Sequence, residues 1–81
     1  MYERRARELP YIPPPPVGTV GLTRWPTDVR VGDFILVDGK YQRVRDMRTV
    51  GATSARVLIF TGRDPLIRQD AWTTYRPLEY R

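Results

Sequence analysis

The 81-residue sequence contains no cysteine and no histidine. Their absence removes disulfide staples, thiolate nucleophiles, imidazole general bases and the commonest zinc ligands. Lysine is almost missing as well: of the 14 basic residues only Lys40 is lysine, the others being arginine. No apolar run approaches the roughly 20 residues a membrane-spanning helix needs. The opening Met1-Tyr2-Glu3-Arg4-Arg5 lacks the apolar stretch of a secretory signal. These absences predict a cytoplasmic, non-membrane protein with no metal and no cofactor.

Proline, by contrast, is abundant. Eight prolines and six glycines in 81 residues leave material for one small domain and no second core. Four of the prolines are consecutive, in Tyr11-Ile12-Pro13-Pro14-Pro15-Pro16-Val17. Each lacks an N–H donor and holds φ near −65°, so the run can join neither a helix nor a central strand and is extended. Residues 1–9 have helix-forming composition, but the segment is short and Pro10 ends it. Residues 19–26 alternate weakly, and they read as a connecting stretch with Val20, Leu22 and Trp25 as apolar anchors. Residues 1–26 are thus assigned to an N-terminal proline-rich arm.

From Val29 the character changes to β. Val-Arg-Val-Gly-Asp-Phe-Ile-Leu-Val is β-branched, aromatic and aliphatic, and Asp38-Gly39 separates it from a second run over 40–48. Asp-Gly between two such runs predicts a hairpin, because both central residues of a type I′ turn need positive φ. Further strands are predicted over 55–60, 66–69 and 71–76, with turn residues every eight to twelve positions. Five short strands without a 3.6-residue apolar period predict an all-β, antiparallel domain over 27–81, closed as a small barrel or two-sheet sandwich to protect its edges.

The pattern Val31-Gly32-Asp33-x-Ile35-x-Val37-Asp38-Gly39, followed by Tyr41-x-x-Val44, resembles the first hairpin of SH3-like barrels, the group that includes KOW and Tudor domains. The likeness spans about residues 29–77 and implies a five-stranded antiparallel SH3-like barrel. With the arginine skew and the Tyr75-Arg76-Pro77 ending, the chain is also similar to short barrel proteins of actinobacteria and their phages and plasmids. The second glycine cluster of the KOW pattern is not matched, so the resemblance implies no ribosomal or elongation role. The barrel hosts many unrelated tasks, and the fold alone names none.

Net charge is +5 and the sequence pI near 10.2, a balance that favours anionic partners. Period-two geometry puts Tyr41, Arg43 and Arg45 on one face of the second strand, with Val44 on the other. Guanidinium groups there can pair with phosphates while an aromatic ring stacks on a base. The alternative is a solvated strand face partnered by Asp33, Asp38 or Asp46. The leading expectation is a small nucleic-acid-binding accessory or regulatory factor, contacting its ligand through Lys40, Tyr41, Arg43, Arg45 and Arg48, with Arg30, Arg56 and Arg68 as auxiliary phosphate contacts.

A second expectation, from a different class, is a protein-interaction or assembly module. Arg7-x-Leu9-Pro10-x-Ile12-Pro13 has the form of a polyproline ligand of signalling SH3 domains, and prolines pre-set the conformation such grooves read. With Trp25, these residues can dock on this chain's own domain, on a second copy as a homodimer, or on another protein. Phe34, Ile35, Leu36 and Val37 strengthen that expectation, since four consecutive apolar side chains fill both faces of one strand and the outer two need cover; residues 17–26 are the nearest source. Of Trp72 and Tyr75, which fall on opposite faces, only one ring can reach the core. Catalysis is not expected. The carboxylates Asp28, Asp33, Asp38 and Asp64 sit at turns, where side-chain-to-backbone hydrogen bonding explains them, and Ser54 has no base to activate it.

Overall fold

The computed structural model describes residues 12–80. Within them the chain is all-β: strands β1 (Thr19–Arg24), β2 (Phe34–Val37), β3 (Lys40–Arg43), β4 (Asp46–Thr49), β5 (Arg56–Ile59), β6 (Leu66–Arg68) and β7 (Trp72–Pro77), with single 3-10 turns at Pro26–Asp28 and Leu78–Tyr80. They form two antiparallel sheets, one ordered β1-β7-β2-β3 and the other β4-β5-β6. The sheets do not close into a barrel.

The Asp-Gly hairpin forms as its sequence predicts. Asp38 and Gly39 have φ of 52° and 80°, the two positive values a type I′ turn requires, and β2 and β3 pair in register from Val37↔Lys40 to Phe34↔Arg43. A Cβ at Gly39 would meet nothing, so only the backbone conformation objects to a side chain there. Gly39→Ala should therefore lower unfolding free energy by about 1–2 kcal/mol, the cost of the left-handed region for an L-residue, as read from a urea melt.

The predicted single strand over 40–48 is bent into two. Val44 still belongs to the first sheet's side: its N–H donates to the Asp33 carbonyl and its carbonyl accepts from Gly32 N–H, both at 2.8 Å. The next residue, Arg45, donates its N–H to the Ile59 carbonyl at 2.7 Å and so belongs to the second sheet. Gly32, at φ 101°, supplies the turn that brings Asp33 to this corner. Val44 is fully buried there.

The core lies between the sheets. Ile35 and Val37 alternate with half-buried Phe34 and Leu36, so β2 sends one pair inward and one outward. They meet Val29, Val44, Leu58 and Phe60, with Met47, Leu66 and Trp72 packed against the cluster. Trp72 is thus the ring that reaches the core, and Tyr75 is on the outer face.

Two expectations for residues 17–26 need correction as well. Residues 19–24 are not a connecting stretch: they form β1 and pair along the length of β7, from Thr19↔Pro77 to Arg24↔Trp72. Nor do they cover the outer face of β2. They extend the sheet sideways in its own plane, because the extended β7 offers a free row of N–H and C=O groups that β1 can satisfy.

Candidate functional site

Directly paired residues share a sheet face, so the register defines the outer surface of the first sheet. One row across it reads Gly21, Tyr75, Phe34, Arg43; the neighbouring row contains Leu36 and Tyr41. Gly21 leaves room for the Tyr75 ring: a Cβ there would lie 2.6 Å from Tyr75 Cε2. The Tyr75 and Tyr41 rings, from strands on either side of β2, meet edge to face with centroids 5.3 Å apart and planes at 88°. The Arg43 guanidinium lies over the Phe34 ring, 5.6 Å from its centroid. These rings and this cation cover the outer side of β2.

Tyr41 also reaches the proline run. Its hydroxyl donates to the Pro13 carbonyl at 2.8 Å. Pro13 and Pro16 are half-buried whereas Pro14 and Pro15 are exposed, the period of three that a polyproline II chain presents to one surface. Pro16 is tied in turn, its carbonyl accepting from Thr19 Oγ1 at 2.7 Å. An open cleft of ≈ 360 Å³ continues from Pro16 past Thr19, Phe34, Arg43, Leu78 and Glu79.

Loss of solvent around the hydroxyl first, and the charge interaction with the Tyr75 phenol second, push the Tyr41 phenol above the usual tyrosine range. Only the neutral phenol can donate to Pro13. A raised folded-state value means its contribution is fully present below the ordinary tyrosine pKa and lost as pH rises through the raised one. Alkaline titration followed by tyrosinate absorbance should therefore show a late-ionising tyrosine that is absent in Tyr41→Phe and whose ionisation coincides with release of Pro13.

The nominated cations are distributed over the molecule. Tyr41 and Arg43 share the outer face of the first sheet, but Arg45 lies beyond the bend and is exposed, so the expected row of three is interrupted. Lys40 is exposed at the hairpin and Arg30 at the turn before β2. Arg48 is on the outer face of the second sheet, 3.2 Å from Asp46 of its own strand. Arg56 and Arg68 face each other directly across β5 and β6 on the opposite surface of that sheet, and the Arg68 guanidinium stacks 3.7 Å over the Trp72 ring. Among the residues nominated for protein interaction, Pro13 is the one held by Tyr41. Ile12 is 66% and Trp25 58% exposed, while Arg7, Leu9 and Pro10 lie outside the described residues.

The most tightly bonded polar group is Asp33, which the sequence marks as a turn residue and as one of three candidate partners for the arginine face, and whose partner is instead Arg76. Asp33 has no exposed surface; it accepts from Arg76 Nε and Nη2 at 2.9 Å each and from Arg30 N–H at 3.0 Å. Arg76 Nη2 also donates to the Asp28 carbonyl, and its hydrogen bond to Asp33 holds its pKa above the usual arginine value. Beside this pair Arg24 Nη1 donates to the carbonyl and hydroxyl of fully buried Thr74, at 2.9 and 2.7 Å. Burial, then repulsion from Arg76, holds the Arg24 pKa below its usual value. With its oxygens occupied by a bidentate guanidinium and a backbone amide, Asp33 ties β2 to β7 and has no lone pair directed at solvent.

Among the described residues no group of three or more acidic, cysteine or histidine side chains converges to hold a metal, and no helix is long and apolar enough to cross a membrane. No family model matches the chain, and neither a curated protein nor a solved structure does.

Proposed function

We propose that this protein is a non-enzymatic protein-interaction module whose aromatic outer face receives a polyproline segment, with residues 12–16 of the same chain seated on it. The observation that carries the reading is the Tyr41 hydroxyl bonded to the Pro13 carbonyl, with every third proline turned toward the domain. Aromatic grooves read polyproline in this way: rings fill the spaces between prolines, and a phenol satisfies a backbone carbonyl that has no internal partner. A seated segment of the chain itself keeps the face closed to weaker ligands.

A labelled peptide of residues 9–18 tests it. The full chain carrying Pro13→Ala and Pro16→Ala, with its own segment weakened as a competitor, should bind the peptide at least about tenfold more tightly than wild type does. Equal affinity, or none for either chain, contradicts the reading.

The likeness to an SH3-like barrel belongs to the same proposal. It is supported by the short Val44–Arg45 link that makes β3 and β4 one bent ribbon, and by the return of β7 to pair with β2. On that view 34–77 form the five-stranded unit and β1 is an addition at its edge.

Nucleic-acid binding is a second reading, favoured by the opposition of Arg56 and Arg68. The two cations occupy directly paired positions, with the Arg56 guanidinium held by the Thr53 and Ala55 carbonyls and that of Arg68 by the Trp72 ring, so a phosphate on this surface would meet two ordered guanidiniums. Titration of labelled DNA and RNA over a salt series should show a log–log slope that Arg56→Ala and Arg68→Ala reduce; no binding at low salt removes this reading.

A further inference from the structure

Among the described residues four strands lie at sheet edges, and three of them carry the charges that discourage further pairing. β3 holds Lys40 and Arg43, β4 holds Asp46 and Arg48, and the three-residue β6 holds Arg68. β1 differs. At six residues it is the longest, its first five, Thr-Val-Gly-Leu-Thr, are uncharged, and its terminal Arg24 is withdrawn onto Thr74.

The hydrogen-bond phase of β1 follows from its first pair. Pro77 has no N–H, and Leu78 N–H donates to the Gly18 carbonyl at 2.9 Å, which makes Thr19↔Pro77 a non-hydrogen-bonded pair. Alternation then commits the N–H and C=O groups of Val20, Leu22 and Arg24 to β7. Those of Thr19, Gly21 and Thr23 point to the open edge. On the core-side face of the same strand, Val20 and Leu22 are 40% and 57% exposed, because the second sheet does not extend over them.

This edge is complementary to itself. We infer that β1 pairs antiparallel with β1 of a second copy, in the register that centres Gly21 opposite the partner's Gly21. In that register Gly21 exchanges both hydrogen bonds with its counterpart across the two-fold axis, and Thr19 does so with the partner's Thr23. Val20 then faces the partner's Leu22 in the non-hydrogen-bonded positions, where side chains approach most closely. No charge is brought against a like charge. The neighbouring registers of the same phase give only one of the two aliphatic side chains an aliphatic partner, and registers of the other phase set inward-bonded groups against outward ones. The result is one continuous sheet of twice the four strands, with both aromatic outer faces on the same side. The inference does not depend on the polyproline reading, since Tyr41 and Pro13 take no part in it; if both hold, the dimer presents two such faces and gains avidity for a ligand with two proline segments.

Sedimentation equilibrium of the full chain tests it. The expected species is about twice the 9.5 kDa chain mass, reverting to monomer on dilution. Thr23→Pro removes an outward N–H without breaking a bond to β7, and should give a folded monomer by circular dichroism. The double variants V20E/L22E and V20K/L22K should each be monomeric, and mixing them should restore the doubled mass. A wild-type chain that stays monomeric to about 0.5 mM overturns the inference. So does a dimer that persists in Thr23→Pro, or one that the charge variants neither break nor rebuild, since the contact is then elsewhere.

Discussion

Asp33→Asn should cost about 3–5 kcal/mol of unfolding free energy, a large part of the roughly 5–15 kcal/mol available to a domain of this class. The carboxylate is fully buried and meets the Arg76 guanidinium with two parallel bonds at 2.9 Å. An amide can accept only one of them and carries no charge, so Arg76, with its side chain only 15% exposed, keeps a desolvated cation with the Asp28 carbonyl as its remaining acceptor. Arg76→Leu should be at least as harmful, because it strands the carboxylate. Removing both charges together, in Asp33→Asn/Arg76→Leu, should cost clearly less than the sum of the single changes, because neither charge is left alone. Urea melts followed by tryptophan fluorescence, with unchanged m-values, give these numbers.

Leu58→Ala should cost about 2–5 kcal/mol. Leu58 is 1% exposed in the middle strand of the second sheet, paired with Met47 on one side and Leu66 on the other, and its side chain faces Ile35 and Val44 in the shared core. That core has few members, so little can collapse into the space left behind. Leu58→Met, which nearly preserves volume, should stay under about 1.5 kcal/mol. Ile67→Ala supplies the contrast: this neighbour on β6 points to the outer surface, is 56% exposed, and should change stability by no more than about 0.5 kcal/mol. Calorimetric midpoints should rank the three in that order.

What the sequence made legible was local. Asp38-Gly39 declares its own turn through the φ it needs, and the β-branched runs over 34–37 and 56–59 declare strands whatever they pair with. The division of Phe34–Val37 into two inward and two outward side chains follows from the pleat alone. What was not legible depends on partners far along the chain. Thr-Val-Gly-Leu-Thr-Arg has a weak pattern of its own and becomes β1 because β7, more than fifty residues later, offers an edge. The Asp33 carboxylate satisfies a turn amide, as its position suggests, yet its main partner is Arg76, 43 residues away. The bend at Val44–Arg45 is likewise set by Asp33 and Ile59 and not by any breaker in the strand. For the candidate site, the sequence marks Tyr41 and Pro13 for separate roles: one for stacking on a base, the other as part of a ligand motif. Their pairing joins a residue of the hairpin to a segment 28 positions earlier, and no periodicity reports such a contact.

The aromatic outer face and its proline segment form the centre of this account, and nuclear Overhauser contacts from the Tyr41 ring in the full wild-type chain test it most directly. Cross-peaks from Tyr41 to the Pro13 and Tyr75 side chains together are expected, and in the Pro13→Ala/Pro16→Ala chain Tyr41 should show no cross-peak to any proton of position 13 while the Tyr75 set remains. Cross-peaks to Tyr75 alone in the wild-type chain would contradict it.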